Sequence, residues 1–139
     1  MYAAYDALSD RMKSYLEGLT ALHDAEHVFR PITSDLSKRF PQAVHPLVVT
    51  HPVTGRKSLY CDPLYTVKIN DLSKSESKGI LNFLWEHCLD PHFQMRFKWR
   101  PRSVAMWDNR CTQHMALWDY YPQTRSGFRI GIQADAPPR

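Results

Sequence analysis

The densest grouping of chemistry-bearing residues is Trp107-Asp108-Asn109-Arg110-Cys111-Thr112-Gln113-His114, followed by Arg125 and Arg129. On a strand, where side chains alternate with a period of two, Arg125, Gly127, Arg129 and Gly131 share one face, and Phe128, Ile130 and Ile132 share the other. Arginines spaced by glycine form either a solvated outer face or a roomy cationic wall. A guanidinium grips carboxylates and other oxyanions through paired hydrogen bonds, so the second reading places an anionic ligand near His114. The residues alone leave both readings open.

A second pattern, His23-Asp24-Ala25-Glu26-His27, is H-x-x-E-H, the signature of a zinc hydrolase. It works only on a helix, where both histidines share a face and the inner Glu serves as base. Here it follows strand-like residues at the start of an irregular loop, and solvated loop side chains are the stronger reading. His45 and His51, each followed by proline, read as turn or strand-edge residues, and His87 and His92 as cations near a helix C-terminus. Cys61, Cys88 and Cys111 are odd in number and far apart, which points to reduced, mostly buried thiols and to neither a disulfide framework nor a zinc knuckle.

The elements that must position these groups follow from periodicity. Tyr5, Leu8, Met12, Tyr15, Leu16 and Leu19 recur at helical spacing, so one helix or two short ones span residues 2–18, and Gly18 stops them before a short strand. Residues 24–43 read as a long loop. Val44–Thr50 is an edge-strand candidate because of Pro46, and Pro52–Lys57 is turn chemistry leading into a strand over Ser58–Cys61. Ser73-Lys74-Ser75-Glu76 has the form of a capping box and opens a helix ended by Asp90-Pro91. Phe93, Met95, Phe97 and Trp99 alternate with polar residues as in a half-buried strand. Val104–Trp107 and the stretch through Phe128, Ile130 and Ile132 read as two further strands, so the second half is expected to be antiparallel β.

Length and composition bound the rest. At 139 residues, 43% hydrophobic and 12% aromatic, the chain suits a single domain or one portion of a larger one, and excludes global disorder and fibrous structure. A net charge of +4 with scattered basic residues is a weak nucleic-acid signal. No apolar run reaches a membrane span, and Asp6 and Asp10 stand where a signal peptide would be apolar, so a cytoplasmic chain with neither nucleic-acid nor membrane partners is expected.

The run WDNRCTQH, with Arg125 eleven residues after the histidine and Arg129 four later, resembles the C-terminal half of the taurine dioxygenase and 2,4-dichlorophenoxyacetate dioxygenase family. The likeness continues through Phe93-Gln94, the helix from Ser75, the segment HPVTGRKSLY and the opening MYAAYDALSD. It implies an iron(II)- and 2-oxoglutarate-dependent oxygenase on a double-stranded β-helix, a jelly roll. Residues 1–139 are then one C-terminal portion of that domain, mainly β with helices. By this resemblance His114 is the second histidine of a two-His-one-carboxylate iron site. Arg125 clamps the distal carboxylate of 2-oxoglutarate, Arg129 meets an anionic substrate head, and Tyr65 packs near the substrate or serves as a core strand aromatic. The implied reaction uses O2 to hydroxylate a small anion such as taurine, another sulfonate, a sulfate ester or an aryloxy-carboxylate.

The pattern is incomplete. No histidine here has Asp or Glu two residues on, so the family's H-x-D/E motif is missing, and Met1 resembles an internal methionine of a longer ancestor. The expectation is a truncated, inactive chain whose partial jelly roll exposes strand edges and self-associates or forms a homo-oligomer. Met115 and Phe128 stand where relatives often carry an aromatic residue and His, respectively. The alternatives are a catalytically silent interaction module and, third, a zinc hydrolase built on His23 and His27.

Overall fold

The computed structural model describes residues 1–139. In chain order the elements are α1 (Tyr2–Asp6), α2 (Asp10–Leu16), β1 (Thr20–Asp24), α3 (Glu26–Phe29), a 3-10 turn (Arg30–Ile32), β2 (Gln42–Pro46), β3 (Val48–Thr50), β4 (Lys57–Leu59), β5 (Thr66–Ile69), α4 (Lys74–Cys88) and a second 3-10 turn (Pro91–Phe93).

The N-terminal helical pattern resolves into two helices because Ser9 interrupts it. Its hydroxyl accepts the Met12 amide at 3.3 Å and starts α2. Gly18, at φ +79°, turns the chain out of the helix into β1, a conformation that costs glycine little. β1 pairs antiparallel with β2 on one side and β5 on the other, with a bulge between Leu22 and His23. β3 and β4 form a separate antiparallel pair. The expected strand over Val44–Thr50 is thus two strands that part at Leu47, whose amide bonds the Leu19 carbonyl at 2.8 Å.

α4 begins with the capping box the sequence announces. Ser73 Oγ accepts the Glu76 amide, and the Glu76 carboxylate accepts the Ser73 amide at 2.9 Å. One face of α4 packs on β5, where the Ser77 hydroxyl accepts the buried Ile69 amide at 2.8 Å, in the place of a further strand. The core is a single cluster of Ala4, Tyr5, Leu8, Leu16, Ala21, Leu47, Leu59, Cys61, Ile69, Leu81 and Leu84, so α1, α2, both sheets and α4 share it.

Beyond the second 3-10 turn no helix or strand forms, which corrects the three strands expected at 93–99, 104–107 and 128–132. The chain is mixed α and β rather than mainly β. A strand needs a neighbour to close its ladder, and these segments find none within the chain; Met95, Met106, Phe128, Ile130 and Ile132 all lie exposed. No helix is long and apolar enough to cross a membrane.

Candidate functional site

His114 follows an irregular turn whose geometry is set by Asp108. That carboxylate accepts the Arg110 backbone amide at 2.9 Å and the Arg110 guanidinium through Nε at 2.9 Å and Nη2 at 2.6 Å. The Arg110 guanidinium first, then His51, holds the Asp108 carboxyl well below the usual carboxylate range. The His114 ring lies 4.8 Å from the Trp107 ring, centroid to centroid, and the Trp107 indole donates to Asn109 Oδ1 at 2.9 Å. His114 itself is exposed.

The two arginines downstream are exposed as well. Arg125 sits 6.0 Å over the Tyr120 ring, and neither Arg125 nor Arg129 forms an ion pair or a hydrogen bond with His114. His114, Arg125 and Arg129, expected to line one cavity, each lie exposed. The strand that would have aligned the two arginines has no sheet to join. Tyr65 is half-buried between β4 and β5. Its ring is 6.4 Å from Phe29, and its backbone amide donates to Asp62 Oδ1 at 2.9 Å.

A node that sequence reasoning missed ties this turn to the rest of the fold. His51, read from sequence as a turn or edge residue, is only 5% exposed, and its Nε2 lies 3.0 Å from Asp108 Oδ2. The Met1 ammonium donates to the Cys111 carbonyl at 2.9 Å, and Gln113 Nε2 donates to the Cys61 carbonyl at 2.5 Å. The only sequence signal was the proximity of His51 to its own Pro-Val-Thr-Gly turn, where a ring nitrogen can accept turn amides.

The H-x-x-E-H segment does not form the helix a zinc site needs. His23 lies on β1, α3 has four residues, and the Glu26 carboxylate is taken by Arg30 Nε at 2.7 Å. His23 instead packs against His45 and Tyr60, with ring centroids 5.4 Å away in each case. Burial first, then the neighbouring His45, pushes the His23 imidazole below its ordinary value. Below the free-imidazole pKa of about 6.5, the unfolded chain therefore binds more protons at His23 than the folded one, and stability contributed here falls as pH drops. Urea unfolding of the wild type and His23→Gln at pH 7.5 and 5.5 is expected to show the larger loss in the wild type.

Of the two helix-end histidines, His92 meets the Asp90 carboxylate at 2.7 Å, and His87 bonds the Ala4 carbonyl at 2.7 Å and joins α4 to α1. Donor atoms of His51, Asp108 and Cys111 lie within 4.8 Å of one another, while His114 has no second His, Cys or carboxylate in such a group. One imidazole does not make an iron site, which takes two histidines and a carboxylate.

The family model "Taurine catabolism dioxygenase TauD, TfdA family" matches residues 1–130. The chain is 39% identical to an alpha-ketoglutarate-dependent sulfonate dioxygenase of Saccharomyces cerevisiae over 96% of its own length and 34% of the relative's. It is 31% identical to an alkylsulfatase of Acinetobacter baylyi, covering 95% of itself and 45% of that protein. Among solved structures it resembles a taurine dioxygenase from Burkholderia xenovorans, with a TM-score of 0.61 and 32% identity over 72% of this chain and 32% of that one. The chain spans about a third of the length of the first curated relatives it matches. A match that runs through α1, the HPVTGR turn, α4, the WDNRCTQH turn and both arginines places the chain in the taurine catabolism dioxygenase TauD, TfdA family.

Proposed function

We propose that residues 1–139 are the C-terminal portion of a jelly-roll domain in an iron(II)- and 2-oxoglutarate-dependent dioxygenase that hydroxylates a small organic anion. The observation that carries this is the family match over residues 1–130, which includes His114, Arg125 and Arg129. Relatives named for sulfonate and alkyl sulfate chemistry support a sulfonate or sulfate ester as substrate. In that reading His114 offers one imidazole to the metal, which would supply oxygen activation when bound in a complete site.

The remaining roles are electrostatic. Arg125, with its permanent charge and planar fork, pairs with the distal carboxylate of 2-oxoglutarate. Arg129 meets the anionic head of the substrate, and Tyr65 supplies an aromatic wall. The apolar faces exposed at Met95, Phe97, Phe128, Ile130 and Ile132 support a covering by further polypeptide and, in its absence, self-association of the chain.

With one ligand instead of three, the isolated chain is expected to release no succinate from 2-oxoglutarate in the presence of Fe2+ and O2. A chimera is expected to release it: the part of the Saccharomyces cerevisiae relative that precedes its matching region, joined to residues 1–139. Succinate from the isolated chain overturns the single-ligand reading, and a folded but silent chimera overturns the assignment to an oxygenase.

A further inference from the structure

We infer that His51 is a positioning residue: its Nε2–H, donated to Asp108, sets the turn that orients the Trp107–His114 pair, whose rings meet at a tilt. The catalytic meaning of this orientation rests on the reading of His114 proposed above, while the geometry stands without it.

The tautomer follows from the partners. His51 Nδ1 faces the backbone amides of Val53 and Thr54 at 3.3 and 3.2 Å, and two N–H donors require an unprotonated acceptor. The ring proton of neutral His51 is therefore on Nε2, aimed at Asp108 Oδ2, 3.0 Å away. The ring is itself walled in. Tyr2 meets it edge-on at 6.1 Å, the Tyr2 hydroxyl is 2.9 Å from Thr54 Oγ1, and the Arg56 guanidinium lies 4.3 Å over the Tyr2 ring. A buried, fully bonded imidazole on the HPVTGR turn thus reaches across 57 residues of sequence to a half-exposed carboxylate.

The other side of the contact is soft. Residues 94–139 have no ladder or helix to hold them, so the direction of Trp107 and His114 depends on individual tethers. Arg110 braces Asp108 only from within the same turn, and the Met1 and Gln113 bonds reach backbone carbonyls. Among these tethers, His51–Asp108 alone joins a buried side chain to the turn's own charged side chain. The same three donors do not make a metal site. Both His51 nitrogens are committed, and an ion at Asp108 would have to displace the Arg110 guanidinium.

The test is nuclear magnetic resonance of the full chain, labelled with 15N-histidine, with neither iron nor 2-oxoglutarate present. His51 is expected to show a bare Nδ1 and a protonated Nε2; the opposite tautomer overturns the inference. The His114 ring protons are expected to carry a ring-current shift from Trp107, identified by its loss in Trp107→Leu. His51→Leu is expected to abolish that shift and His51→Gln, which keeps an N–H donor, to restore most of it. An unchanged His114 signal in His51→Leu, or equal loss in both variants with unaltered far-ultraviolet circular dichroism, overturns the inference. If His51→Leu does not fold, Asp108→Ala, which removes the acceptor, is read beside Arg110→Ala, which removes only the brace within the turn: the His114 signal is expected to move in the first and stay in the second, and an unmoved signal in Asp108→Ala overturns the inference. A silent chimera alongside the expected His114 shifts would remove the oxygenase reading and leave the His51 tether standing.

Discussion

Arg125→Ala in the chimera raises the 2-oxoglutarate concentration needed for half-maximal succinate release by about 30-fold or more. The expectation comes from the cost of removing one partner of a desolvated charge pair, on the order of 2–5 kcal/mol, where each 1.4 kcal/mol is tenfold. Arg125 is exposed here and leans on Tyr120 at 6.0 Å, so its guanidinium is not committed to another carboxylate of the chain and is free to take one from a ligand. The effect should fall on the cosubstrate requirement more than on the saturated rate, because the distal carboxylate stays charged throughout the reaction and the pairing is uniform binding. Arg125→Lys should recover only part of the loss, since an ammonium keeps the charge without the bidentate fork. An unchanged requirement in Arg125→Ala would mean that Arg125 faces solvent in the assembled domain, and the cosubstrate role would pass to another cation.

Leu84→Ala destabilises the isolated chain by about 2–5 kcal/mol, read from the urea midpoint at an unchanged slope. Leu84 is 0% exposed and Leu81 2%, on the face of α4 that covers β5, in the same cluster as Tyr5, Leu8 and Leu16. Truncation removes the transfer free energy of the lost carbons and leaves a cavity that the sheet beneath can close only in part. Leu89, just past the end of α4 and 66% exposed, is the control: Leu89→Ala should change stability by no more than about 0.5 kcal/mol. A loss below about 1 kcal/mol for Leu84→Ala would show that α4 does not seal the core, and with it the placement of Ser77 on Ile69 would fail.

The local grammar of the chain was legible wherever an element closes its own hydrogen bonds. The Ser73–Glu76 box, the Asp90-Pro91 stop and the Gly18 exit all appear in the structure where the residues indicate. The candidate site residues were recognisable as types, with an imidazole at 114 and guanidiniums at 125 and 129, because residue type does not depend on neighbours. The alternation in Phe93–Trp99 and Phe128–Ile132 was equally clear, yet no strand forms there. A period of two says which face of a strand seeks cover but not what covers it, and its amides need carbonyls on another segment.

His51 marks the same boundary from the other side. Its local sequence supplied the Val53 and Thr54 amides that take up Nδ1, and only the folded chain decided that the remaining N–H meets Asp108. By itself, then, the sequence determined the family likeness, the capped start of α4, the turn chemistry and which residue types are candidates for a site, all of which are read from residues a few positions apart, whereas α3 formed inside the segment 24–43 read as a loop. The tertiary structure alone decided which strands pair, that His23 packs against His45 and Tyr60, and that the turn before His114 hangs from a buried imidazole. Each of these requires a hydrogen-bond partner or an apolar cover brought in from a distant part of the chain, and no local pattern can name that partner.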